Sequence, residues 1–153
     1  MSLLNNLYEK NNKVYSKFII EKNNPVLEFS GNINLKSGSF KELDIIDLPK
    51  DKCIGLSGNL DDKVNHSCNP NCKILVINTR AFLYSIKVIK PNDEITFDYS
   101  TIIASDFTFN CSCKSYNCRK IIGNVLSLND NDFKKMKDLS IIPSFILEKY
   151  ERN

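Results

Sequence analysis

Six cysteines and a single histidine carry most of the chemistry available to this 153-residue chain. Cys111, Cys113 and Cys118 form a Cys-x-Cys-x4-Cys run, with Lys114, Arg119 and Lys120 interleaved. Thiols this close in sequence suit zinc, which takes four sulfur or imidazole ligands in a tetrahedron. The interleaved cations would offset the charge of a thiolate set and favour deprotonation. Three ligands leave one place open, for which Cys53, Cys68, Cys72 and His66 are the candidates. Cys68 stands out because it is isolated in the polar, loop-forming heptad Asn65-His66-Ser67-Cys68-Asn69-Pro70-Asn71, which also holds the only histidine. If Cys68 closes the site, the ion ties that loop to the C-terminal segment and builds a pocket between them. Cys53 and Cys72 read as packing residues, small hydrophobes of the interior.

The length suits one domain, and an apolar fraction of 42% with 25% charged residues is ordinary for a globular protein. A net charge of +3 without a run of like charges argues against direct nucleic-acid binding. The longest apolar runs, Ile74-Leu75-Val76-Ile77 and Phe145-Ile146-Leu147, are far below a membrane span. The N-terminus has neither the basic flank nor the apolar core of a secretory signal, so a cytoplasmic or nuclear protein with reduced cysteines is expected. A secreted effector without such a signal is a second reading. Oligomeric state is not legible.

The elements that must position these residues are mostly strands. Residues 13–20 and 25–30 read as two strands around a turn at Glu21–Asn24, and 40–48 as a strand or short helix. Lys73–Asn78 and Ala81–Val88 form a hairpin turning at Asn78-Thr79-Arg80, with Phe82, Tyr84, Ile86 and Val88 on one face. Pro91-Asn92-Asp93 is a turn in which Asn supplies the left-handed conformation, and Glu94–Tyr99 is a final strand. Residues 129–150 carry the helical pattern, interrupted by Pro143, and are expected to pack on their own domain.

Three of these stretches resemble a known family, the SET-domain protein lysine methyltransferases with a post-SET zinc motif. Asn65–Asn71 is similar to its Asn-His-Ser-Cys-x-Pro-Asn loop, and Glu94-Ile95-Thr96-Phe97-Asp98-Tyr99 to its Glu-Leu-Thr-Phe-Asp-Tyr strand, entered through Lys90-Pro91-Asn92-Asp93. Cys111–Arg119 resembles the post-SET Cys-x-Cys-x4-Cys-Arg, with Ile122-Gly123 as its tail. The three occur in the family's order over about residues 12–124, and the short Gly55-Leu56-Ser57-Gly58 lead-in looks like that of compact bacterial or viral members.

The resemblance implies a mainly β fold of small curled sheets with a threaded C-terminal segment. A SET domain over 1–106, a post-SET zinc segment over 107–126 and a helical extension over 127–153 are expected. It implies S-adenosylmethionine-dependent methylation of a protein lysine, on histone or another protein, with the substrate groove in residues 31–60. Asn65, His66, the Lys13-Val14-Tyr15 strand and Phe109 would meet the cofactor. Tyr99 would be the active-site tyrosine, Phe97 the residue setting how many methyls are added, and Cys68, Cys111, Cys113 and Cys118 the ligands of one structural zinc. Phe97, Phe107, Phe109 and Tyr84 are the aromatics available to wall a lysine channel.

Two departures stand out. The family's Gly-x-Gly aligns with Asn11-Asn12-Lys13, and its Glu-Tyr-x-Gly appears as Glu28-Phe29-Ser30-Gly31, one hydroxyl short. They motivate an alternative, a SET-like domain that has lost catalysis and serves as a protein-binding module.

Overall fold

The computed structural model describes residues 3–36 and 44–150. Twelve short strands appear among them: β1 Leu7–Lys10, β2 Lys13–Ser16, β3 Pro25–Glu28, β4 Ile33–Leu35, β5 Ile46–Leu48, β6 Lys52–Ile54, β7 Asn65–His66, β8 Cys72–Ile77, β9 Arg80–Ser85, β10 Thr96–Phe97, β11 Phe109–Asn110 and β12 Ile121–Ile122. Two helices follow, α1 Asp130–Asp138 and α2 Ser144–Lys149. The strands make two three-stranded sheets, β3-β9-β8 and β4-β6-β5, and three two-stranded pairs. The mainly β class expected from the sequence holds.

Asparagines make the turns. Asn11 and Asn12 take φ of 55° and 61° and join β1 to β2 in a two-residue hairpin, with Lys10 opposite Lys13. Left-handed angles at both positions match the twist of the flanking strands, and Asn adopts them at lower cost than most residues. Asn78 (φ 57°) and Thr79 link β8 to β9. Lys90–Asp93 is a turn closed by the Asp93 amide donating to the Lys90 carbonyl (3.1 Å), with Pro91 first and Asn92 second at φ 68°.

Three strands are shorter than the pattern suggests. The stretch 13–20 stops at Ser16, whose hydroxyl donates to the Phe18 carbonyl (2.5 Å) and bends the chain; Ile20 returns to bridge Ile89. In 81–88 the strand ends at Ser85, and its buried face is Ala81, Leu83 and Ser85, leaving Phe82 and Tyr84 half-buried. The strand 94–99 keeps only β10, because the Asp98 carboxylate accepts from the Ser100 amide (3.0 Å) and caps a 3-10 turn at Tyr99–Thr101. Within 40–48, β5 is a strand, while residues 40–43 lie outside the described residues.

The main core gathers Leu27, Leu83, Ile74, Ile89 and Ile95 between the sheets. Gly31 marks a close crossing, since a Cβ there would stand 1.7 Å from the Gly55 carbonyl oxygen. Helix α1 is capped by Asn129, which accepts from the Asp132 amide (2.9 Å), and Pro143 precedes α2. Phe133, Met136, Ile142 and Ile146 form a second cluster with Val125 and Leu128, so the tail packs on its own domain.

Candidate active site

The loop and the final strand meet through β7 and β10, which pair in parallel with Asn65 opposite Thr96 and His66 opposite Phe97. Asn71 locks the register from the side. Its amide donates to the Glu94 carbonyl (2.8 Å) and its carbonyl accepts from the Thr96 amide (3.0 Å). The asparagine thus satisfies a carbonyl and an amide on one edge of the strand and adds to the two-residue ladder.

His66 is engaged at both nitrogens. Nδ1 accepts from the Tyr99 amide (3.0 Å), and Nε2 lies 3.3 Å from Cys68 Sγ. Nδ1 therefore carries no proton. Burial pushes the ring to about 4, against the pull of Asp98, so it is neutral at physiological pH. Tyr99 is held by its hydroxyl, which donates to the Val64 carbonyl (2.7 Å). Burial pushes this phenol up to about 12, which leaves it protonated.

An aromatic chain runs from Phe29 to Phe97 (centroids 5.9 Å), to Tyr99 (4.9 Å), to Phe109 (5.9 Å) and on to Phe107 (6.5 Å). Tyr84, an expected member, is elsewhere, opposite Lys73 and Pro25 in the β3-β9-β8 sheet. Phe29 takes that place, and the Glu-Phe-x-Gly stretch was the signal for it.

Two cavities open on this chain. The larger, about 650 Å³, is walled by Lys13, Asn65, His66, Glu94, Phe109 and Cys111 among others. The smaller, about 40 Å³, is walled by Phe29, Ile46, Gly55, Val64, Phe97 and Ile102, with Asp44, Asp61 and Asp62 also in its lining. Tyr99 belongs to both walls. Of the Lys13-Val14-Tyr15 strand, Lys13 lines the larger cavity, while Val14 is buried in the core and Tyr15 stacks on Tyr8.

The cysteines converge beside the larger cavity. The donor atoms of His66, Cys68, Cys111 and Cys113 all lie within 4.8 Å of one another, a set able to hold a metal ion. Cys68 Sγ is 3.9 Å from Cys111 Sγ, close to the edge of about 3.8 Å expected for a tetrahedron with metal–sulfur bonds near 2.3 Å. Cys118 Sγ stands next to this set, 3.7 Å from the Cys111 carbonyl. Backbone amides face the sulfurs: Arg119 N is 3.4 Å from Cys68 Sγ and Cys68 N is 3.5 Å from Cys113 Sγ. Burial, the largest influence, pushes the Cys68 thiol up to about 12 against the Arg119 amide and charge, and Cys111 up to about 11 with the neighbouring sulfurs adding to it. Burial acts the same way on Cys113, but the Cys68 amide and the Ser115 hydroxyl and amide outweigh it and hold that thiol at about 6. Cys53 and Cys72 are buried in the core, apart from this set.

One contact was not anticipated. Arg119 makes a two-pronged bridge to the buried Asp98, with both N–O distances 2.7 Å. Its charge is shared between Asp98 and the Cys68 thiol, where it opposes the effect of burial. The pair joins the cysteine segment to the residue that follows β10 and caps the 3-10 turn, and its signal was the arginine that follows Cys118.

Residues 6–100 match the SET domain family. That is more than half of the chain, and the chain belongs to the SET-domain family. Among curated relatives, it is 44% identical over 66 residues to the human histone-lysine N-methyltransferase SETD1B, which is 40% of this chain and 3% of that protein. It is 39% identical over 70 residues to Set2 of Drosophila melanogaster (43% and 3%), and 36% identical over 73 residues to the probable histone-lysine N-methyltransferase set-23 of Caenorhabditis briggsae (44% and 30%). The matched stretch thus spans a small part of these proteins. Among solved structures, KRYPTONITE in complex with mCHG DNA and SAH is similar with a TM-score of 0.59 and 31% identity over 71% of this chain and 26% of that one. A second KRYPTONITE complex, at 24% identity and a TM-score of 0.60, supports the fold. No helix among the described residues is long and apolar enough to cross a membrane.

Proposed function

We propose that this chain is an S-adenosylmethionine-dependent protein-lysine N-methyltransferase. The observation that carries this reading is the position of Tyr99 in the shared wall of two cavities, one large and charged, the other narrow with Phe29, Ile46 and Phe97 in its wall. Methyl transfer between two substrates entering from opposite sides needs such a junction. The larger cavity fits the cofactor: charged side chains of Lys13 and Glu94 suit its amino-acid end, and the Phe109 ring suits its base. Bound there, S-adenosylmethionine supplies an electrophilic methyl group on a sulfonium.

The protein's part is to present a neutral amine. A lysine of ordinary pKa about 10.4 costs about 4.6 kcal/mol to deprotonate at pH 7. The half-buried carboxylates of Asp44 and Asp62 in the lining of the narrow cavity favour entry of the cationic side chain. The Phe29, Phe97 and Ile46 walls then desolvate it and lower that cost. Tyr99, with its phenol protonated and pinned to the Val64 carbonyl, orients the amine rather than taking its proton. Neither Phe29 nor Phe97 brings a hydroxyl, which leaves room for a second and third methyl.

The cysteines fit zinc. A Cys68–Cys111–Cys113–Cys118 set leaves His66 Nδ1 free to accept from Tyr99, and the two amides facing sulfur stabilise thiolates. Zinc held there would pin residues 107–126 over the larger cavity. In this reading those residues are the post-SET segment, residues 1–106 the SET domain and 127–153 a C-terminal extension in which α1 and α2 pack on the domain. Histone is the substrate favoured by the relatives' names, and a nuclear site of action goes with it.

Labelled S-adenosylmethionine offered with histones and a panel of basic proteins tests the proposal. Label should enter lysine. Tyr99→Phe should cut transfer at least about 100-fold with S-adenosylhomocysteine affinity kept. Cofactor binding without transfer to any protein would favour the binding-module reading, for which Lys13 at a glycine position is the motive.

A further inference from the structure

Lys13 stands where the family pattern places glycine, and its side chain is not turned away. It lines the larger cavity, and Nζ donates to Glu94 Oε2 at 2.8 Å. Glu94 Oε1 accepts in turn from Asn65 Nδ2 at 3.1 Å, and the same Asn65 amide reaches the Asn12 carbonyl at 3.4 Å. The side chains of Lys13 and Glu94 remain 45% and 25% exposed. An ammonium and a carboxylate are thus fixed side by side in the cavity wall, with donors and lone pairs left over. The backbone holds them in register, because the Ile95 amide donates to the Val14 carbonyl (2.8 Å) and Tyr15 bridges Glu94.

We infer that the Lys13–Glu94 pair is the recognition element for the α-amino-acid end of the ligand in the larger cavity, a specificity device that replaces the glycine backbone at this position. The inference rests on the cofactor reading above and names the residues that discriminate within it. A zwitterion laid head-to-tail on an ion pair makes a ring of four alternating charges, the ligand carboxylate on Lys13 and the ligand ammonium on Glu94. No charge in that ring lacks a partner, and neither protein group gives up its own. A nucleoside thioether without the amino acid gains nothing from the pair. A ligand bearing only a carboxylate or only an ammonium meets one attraction and one repulsion. Asn65, bonded to Glu94, orients the carboxylate.

Calorimetry with S-adenosylhomocysteine and with 5′-methylthioadenosine, which lacks the amino-acid end, separates the outcomes. Lys13→Met and Glu94→Gln should each weaken S-adenosylhomocysteine by about tenfold or more, the scale of a charge-assisted contact. 5′-Methylthioadenosine should stay within about twofold, because a neutral thioether forms no such contact. Lys13→Arg, which keeps the charge, should retain most of the affinity, and the double variant should lose little more than either single one. Unchanged S-adenosylhomocysteine affinity in Lys13→Met would overturn the inference. So would an equal loss for both ligands, which would make Lys13 a prop for the β1–β2 hairpin. If the wild-type protein binds neither ligand, the cofactor reading itself fails and takes the inference with it.

Discussion

The β3-β9-β8 sheet buries Leu27, Ile74 and Leu83 almost completely, while between Phe107 and Ile122 only Ile122 is buried. The sheet is held by ladders and aliphatic packing. The cysteine segment has two residue pairs of ladder, the Arg119–Asp98 bridge and a ring of sulfurs. The larger cavity is lined from the cysteine segment by Phe109 and Cys111 and from the β7–β10 pair by Asn65 and Thr96, while no residue of β3, β8 or β9 lines it. The part of the cavity wall that the cysteine segment supplies therefore rests on point anchors, whereas the β3-β9-β8 sheet rests on burial. Anchors of that kind can be removed without unfolding the rest.

Metal removal should produce the largest effect. Chelation, or Cys68→Ser, should take lysine methylation to background while the β-sheet signal in circular dichroism persists, because the ion's binding energy is the folding energy of its segment. Loss of the whole β signal would erase the distinction between the two regions.

Next come two substitutions that differ in reach. Arg119→Ala leaves Asp98 buried and unpaired, a cost of about 3–5 kcal/mol. Release of the segment re-exposes Asp98, so the cost should be confined to opening residues 107–122, and the urea midpoint of the core should barely move. Leu83→Ala should cost about 2–5 kcal/mol and shift the main unfolding transition itself. Urea titration followed by both circular dichroism and limited proteolysis distinguishes a local from a global change.

The smallest effect is a titration. Burial holds Tyr99 at about 12, above the ordinary phenol value of 10. Alkaline absorbance curves of the wild type and Tyr99→Phe should therefore coincide up to about pH 11. Below pH 10 the group is protonated in both folded and unfolded chains and contributes no pH dependence. Above it the unfolded chain ionises first, so stability should fall as the pH rises. A tyrosine signal missing from Tyr99→Phe near pH 10 would show that the ring is more open to water than its packing indicates.

Much of this was legible because the residues involved are discontinuous in character. Asn65–Asn71 and the cysteine run each declared a chemistry by type and spacing, Thr96-Phe97 entered through the family resemblance, and the turns at Asn78 and Asn92 were legible while the Asn11-Asn12 hairpin was not. Strand ends were not legible. Ser16 and Asp98 stop strands through side-chain bonds to nearby backbone, which compete with the ladder and leave no trace in hydrophobic alternation. The buried face of β9 was missed for a related reason, because Ala81 and Ser85 are small where the aromatic face is conspicuous. Tyr84 was assigned to the channel by type alone, and tertiary placement gives that wall to Phe29, for which the Glu-Phe-x-Gly stretch was the one trace in the sequence. The Lys13–Glu94 pair spans 81 residues, a distance over which sequence shows two ordinary charges.

Amide hydrogen exchange, run on the metal-loaded protein and again after chelation, tests the two-part construction most directly. Protection should fall at residues 107–122 and at 65–68 and stay unchanged in β8 and β9. Uniform loss across the chain, or no change at the cysteine segment, would contradict it.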